Sequence, residues 1–124
     1  MPILDVEIVL APRESLPPDL AASLADAAAT ALGTSPGGTW VKIRPLPHTG
    51  YAEDAGGPPE EVRPVFVRIL KAALPSADAM QSEVTALTQA IARACNRPEA
   101  NVHVLYEPEA RGRLAFGGRL VPGS

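Results

Sequence analysis

Pro2 is the residue with the most unusual chemistry to offer. It follows Met1 and opens the run Ile3-Leu4-Asp5-Val6-Glu7-Ile8-Val9-Leu10. Removal of an initiator methionine before so small a residue is a processing step outside the fold itself, and it would leave Pro2 as a free secondary amine. An ordinary α-amino group titrates near pH ~8, and burial among apolar neighbours disfavours its protonated form. A neutral amine near the working pH can act as a general base or attack a carbonyl. Proline also opens strands for purely structural reasons, since its missing N–H is tolerated there.

A carboxylate-bearing substrate would need a cation near that amine, and the cation would itself push the amine's pKa down. Lys42, Arg44, Lys71 and Arg119 are the candidates. Lys42 and Arg44 share Trp40's side of one run, so they either face a site or are solvated or ion-paired with another subunit. His103 is a candidate site residue, although a lone histidine more often fills a polar core or interface position than a catalytic one. Trp40 and Phe116 could wall a pocket and keep the amine dry. Cys95 falls on the apolar side of a helical pattern and reads as a small core residue. Neither His48 nor His103 has His or Cys neighbours at metal-ligand spacing. No phosphate-cradling glycine motif is present.

These residues must be positioned by a short list of elements. Residues 2–11 read as a strand with Leu4, Val6, Ile8 and Leu10 on one dry face and Asp5 and Glu7 on the other. Leu16-Pro17-Pro18-Asp19 starts a helix whose buried stripe is Leu20, Leu24, Ala27, Ala28, Ala31 and Leu32, with Gly33 as its left-handed cap. Residues 39–44 form a second strand, and 45–62 a long bridge with His48, Gly50 and Tyr51. A third strand spans 64–71. Ser76 caps a second helix with the stripe Met80, Val84, Leu87, Ile91 and Cys95, closed by Asn96. Residues 101–106 are a fourth strand, and the tail through 114–121 suggests a short hairpin or arm.

The list contains a repeat. Pro2 and Pro64 open matching strands, Gly33 and Asn96 close matching helices, and Trp40 and His103 fall at matching points of the returning strands. Each half, about 2–46 and 64–107, is strand–helix–strand, and a right-handed crossover makes its two strands parallel. The whole of 1–124, with an arm over 108–124, is then one α+β domain. It is a four-stranded mixed sheet with both helices on one face. The other face, carrying Trp40, Lys42, Arg44, His103 and Leu105, is left uncovered and calls for other copies of the chain.

The bulk properties agree and exclude several classes. At 124 residues the chain can hold one core but not two. With 46% apolar and 20% charged residues it has an ordinary globular composition. A net charge of -3 with no basic stripe gives no case for nucleic acid. A single cysteine precludes an internal disulfide and fits a reducing, cytoplasmic setting. No secretory signal or membrane span is expected.

With its Met-Pro start, duplicated halves, long bridge and tail, the chain resembles the tautomerase superfamily. Val102-His103-Val104-Leu105-Tyr106 and Gly118-Arg119-Leu120-Val121-Pro122 carry the likeness to the long-chain branch, which holds macrophage migration inhibitory factor and cis-3-chloroacrylic acid dehalogenase. The resemblance implies a homotrimer with sites at subunit boundaries. It also implies Pro2 as the acid/base group and no metal or organic cofactor. His103 matches a site-lining aromatic of the inhibitory-factor branch. The dehalogenase's water-activating glutamate and its tyrosine fall on Phe116 and Leu105. Its paired arginines fall on Ala72 and Pro75, and its helix histidine on Ala28, so hydrolytic dehalogenation is not expected. What is expected is a keto-enol tautomerase acting on small 2-oxo or enol acids, with Lys42, Arg44, Lys71, His103, Trp40 and Phe116 around the substrate. The alternatives are a hydratase or decarboxylase of small unsaturated acids, or a trimeric binding protein without catalysis.

Overall fold

A computed structural model describes residues 1–56 and 62–122; residues 57–61 of the bridge and the last two of the arm lie outside them. The elements run β1 (Ile3–Val9), α1 (Leu20–Leu32), β2 (Trp40–Leu46), β3 (Val65–Leu70), α2 (Ala77–Cys95), β4 (Val102–Tyr106), β5 (Ala115–Phe116) and β6 (Arg119–Leu120). The main sheet has the order β2-β1-β3-β4. β1 pairs with β2 in parallel, β3 pairs with β4 in parallel, and the two halves join through the antiparallel β1–β3 ladder. This is the duplicated β-α-β arrangement, and it places β1, with Pro2 at its mouth, in the middle of the sheet.

One face is dry because alternation puts every second strand residue there. Leu4, Val6 and Ile8 of β1 meet Val65, Val67 and Ile69 of β3 beneath Leu20, Leu24 and Ala28 of α1 and Leu87 and Ile91 of α2. Cys95 belongs to the same core. Burial pushes its thiol up to about 11 against the opposing pull of Arg97, so at neutral pH it is a packing group rather than a thiolate.

Helix ends follow local chemistry. Gly33 and Asn96 both adopt the left-handed conformation, with φ of 68° and 55°. The Ser76 hydroxyl accepts a bond from the Ala79 N–H at 3.3 Å. Asp19 occupies the corresponding position of α1, yet its side chain makes no capping bond. An asparagine tolerates positive φ better than alanine does. Asn96→Ala should therefore cost about 1 kcal/mol in chemical denaturation, while Asn96→Gly should be close to neutral.

The second strand is longer than its alternation suggests, continuing through Pro45 to Leu46. The reason lies in its place at the sheet's edge. Trp40 donates to the Pro2 carbonyl at 3.0 Å and Leu46 accepts from Leu10 at 2.9 Å, so even-numbered residues bond to β1. Pro45 then turns its missing donor outward, where nothing needs it.

Candidate active site

Pro2 sits one residue before the β1 ladders begin. Ile3 is opposite Trp40 of β2 and opposite Leu70 of β3, so Pro2 is flanked by the start of one strand and the end of the other. Pro2 is buried, whereas Met1 is 51% exposed. While Met1 is attached, the Pro2 nitrogen is an amide; its removal would uncover an amine without disturbing a core residue.

The uncovered face is organised in rows set by strand register. Trp40, Ile3 and Leu70 form the row nearest Pro2; Lys42, Asp5, Arg68 and Leu105 the next; Arg44, Glu7, Phe66 and His103 the last. A cavity of about 340 Å³ opens over the first two rows. Its apolar walls are Ile3, Leu70 and Pro108, and its charges are Lys42, Arg68 and Arg113 against Asp5 and Glu107. Lys42 pairs with Asp5 at 3.2 Å and Arg68 with Glu107 at 3.4 Å. The Arg113 guanidinium instead donates to the backbone carbonyls of Pro108 and Glu109. The cavity thus holds one more cation than carboxylates, which suits a small anion. Pro2 does not line it, but its chain neighbour Ile3 does.

Above the same end lies the tail. β5 and β6 form a two-residue hairpin whose turn residues, Gly117 and Gly118, have φ of 57° and 88°, the geometry that suits tight hairpins. The hairpin brings Phe116 edge-on to Trp40 with ring centroids 5.1 Å apart, and the indole N–H donates to the Gly37 carbonyl at 3.0 Å. Trp40 is the chain's one tryptophan. Phe116→Ala should therefore shift the emission maximum to the red, with little change in far-ultraviolet circular dichroism.

Lys71 takes a different direction. It follows β3 and reaches toward the helix layer, where its ammonium meets Glu83 of α2 at 2.7 Å. The Tyr106 hydroxyl donates to the other Glu83 oxygen at 2.7 Å. Burial, then the bond and charge of Glu83, push the Tyr106 phenol well above its ordinary value, so it remains a donor. The His103 and Phe66 ring centroids are 5.6 Å apart, and Tyr51 of the bridge also packs on Phe66 at 5.6 Å.

Of the expected site residues, the fold gathers Pro2, Trp40, Phe116, Lys42 and Lys71 at one end of the sheet. Arg44 and His103 lie at the far end, so within one chain they do not reach Pro2. Arg68, Glu107 and Arg113 were not singled out from the sequence. Arg68 was findable, since it alternates with Phe66 onto the open face. Arg113 lies in an irregular turn with no periodicity to mark it. A larger groove, about 450 Å³, runs between α1 and α2, but alanines line most of it and Arg93 is its only ionisable group. Among the described residues there is no cluster of three or more His, Cys, Asp or Glu that could hold a metal, and no helix long and apolar enough to cross a membrane.

No family model matches the chain, and no curated protein matches it by sequence. Solved structures do. A fused 4-OT symmetric trimer superposes with a TM-score of 0.73 at 16% identity, covering 96% of this chain and 94% of that one. The macrophage migration inhibitory factor of Toxoplasma gondii gives 0.68 at 17%, covering 95% and 98%. FG41 malonate semialdehyde decarboxylase inhibited by 3-bromopropiolate gives 0.68 at 16%, covering 93% and 88%. The likeness runs through both β-α-β halves, and the chain has the fold of the tautomerase superfamily.

Proposed function

We propose that the chain is a tautomerase of small 2-oxo or enol carboxylic acids, with the Pro2 amine, freed of Met1, as its acid/base group. The observation that carries this reading is the burial of Pro2 at the mouth of the central strand, beside a cavity with an excess of positive charge. The neutral amine would take the proton from the enol hydroxyl as the carbonyl forms, and the resulting ammonium would deliver a proton to the adjacent carbon. One O–H bond breaks and one C–H bond forms, with no change of oxidation state. A cation among Lys42, Arg68 and Arg113 would hold the carboxylate and stabilise the developing enolate. Trp40 and Phe116 would exclude water, and holding the amine and a cation at one end of the sheet reduces the entropy cost of a bimolecular encounter.

The uncovered sheet face, with its exposed Trp40 and Leu105, supports assembly with other copies, and one of the similar structures is described as a symmetric trimer. Self-association would give Arg44 and His103 of a neighbouring copy a route to the cavity. The test is ketonisation of phenylenolpyruvate by the intact and Pro2→Ala proteins, with intact mass to confirm loss of Met1. Equal rates would place the chemistry elsewhere. Decarboxylation is the second reading, favoured by the decarboxylase among the similar structures. Release of carbon dioxide from malonate semialdehyde separates the two.

A further inference from the structure

The Lys71–Glu83–Tyr106 cluster is placed where it can act on Pro2, and the reading above does not use it. Pro2 has the strand parity of Leu4 and Val6, so its ring points into the helix layer. Lys71 shows the same direction by reaching Glu83 on α2. The antiparallel ladder pairs Ile3 with Leu70, so the next step along it sets Pro2 opposite Lys71. Side chains facing each other on one side of such a ladder have Cβ atoms about 5 Å apart. The Lys71 and Glu83 side chains are only 19% and 15% exposed, so solvent screens them weakly.

We propose that this cluster sets the working pH of the Pro2 amine, with Lys71 and Glu83 as positioning residues of opposite effect; the inference rests on the reading of Pro2 as the acid/base group. The Lys71 ammonium disfavours a second positive charge on the neighbouring amine and lowers its midpoint. Glu83 offsets part of that field and, by sharing its carboxylate with Tyr106, keeps the ammonium in place. The other elements around Pro2 add little charge on this side. Thr39, just before β2, has its hydroxyl bonded to Thr34. From the segment after β4, Glu107 pairs with Arg68 on the open face and Glu109 accepts from the Leu74 N–H. Lys42 and Asp5 pair with each other across the sheet.

The test titrates the amine directly, without substrate. In protein labelled with 15N-proline and freed of Met1, only Pro2 carries an amine nitrogen, so its resonance follows the titration. Lys71→Met should raise the midpoint by about one pH unit and Glu83→Gln should lower it by a comparable amount. Lys71→Arg, which keeps the charge, should stay near the intact protein and guards against a variant that merely misfolds. Midpoints that coincide in all four proteins, or that shift in the same direction in the first two, would overturn the proposal. An inactive Pro2→Ala with coincident midpoints would sink this inference alone. A fully active Pro2→Ala would sink the reading of Pro2 as the acid/base group, whatever the midpoints.

Discussion

Pro2→Ala should lower the rate of phenylenolpyruvate ketonisation by about 10²-fold or more, the usual contribution of a positioned acid/base group. Alanine at the same place would leave a primary amine, so the loss reports the secondary amine and its ring rather than the mere presence of a terminus. The pH dependence has a definite sign. Only the neutral amine accepts the enol proton, so kcat/KM should climb as pH rises through the Pro2 midpoint and level off above it. The same profile in protein that retains Met1 should be flat and low, because an amide nitrogen does not titrate in this range. Intact mass and a pH series on the two forms check both statements.

The largest effect on stability should come from the opposite end of the sheet. Arg97 follows α2, and its side chain is 4% exposed. It donates to the carbonyls of Arg63 at 3.0 Å, Cys95 at 3.1 Å and Val9 at 3.2 Å, and meets Glu14 at 3.3 Å. Glu14 also accepts from the Ala11 N–H at 2.8 Å and pairs with Arg63 at 2.7 Å. One carboxylate thus ties the segment after β1 to the residues preceding β3 and following α2. Removing one partner from such a pair strands the other, at a cost of about 3 kcal/mol or more. Glu14→Gln and Arg97→Met should each lower stability by roughly that amount at pH 7, measured by denaturant unfolding.

Acid should erase part of the difference. Burial alone would raise the Glu14 carboxyl, but the Ala11 N–H and the two guanidiniums outweigh it and hold the group below its ordinary 4.5. A carboxylate depressed in the folded state stabilises the fold above its unfolded pKa, and that stability is lost as pH falls through the folded value. The gap between the natural chain and Glu14→Gln should therefore narrow on acidification below about pH 4. A gap that stays constant into acid would show that the carboxylate's charge is not what matters.

How much of this was legible in the sequence depended on how far apart the cooperating residues lie. Parity along β1, β2 and β4 gave the open face correctly, including Trp40, Lys42, Arg44, His103 and Leu105, because each strand carries its own period. Gly33 and Asn96 marked helix ends because left-handed backbone restricts residue type locally. Arg97 carried no such mark. Its burial needs Val9, Glu14 and Arg63 to converge from distant parts of the chain, and an arginine after a helix otherwise reads as solvated. Lys71 looked like one more strand cation, since Glu83 is twelve residues away on another element. Arg113 was invisible because only the fold of the segment after β4 brings it to Lys42 and Arg68.

The interior position of β1 has a practical corollary for anyone handling the protein. A polypeptide leader fused ahead of Pro2 would continue from the exposed position of Met1, and it would convert the amine to an amide. Purification handles therefore belong after the arm in any test of the proposed Pro2 chemistry, and a product begun with extra residues tests it only once those residues are cut away.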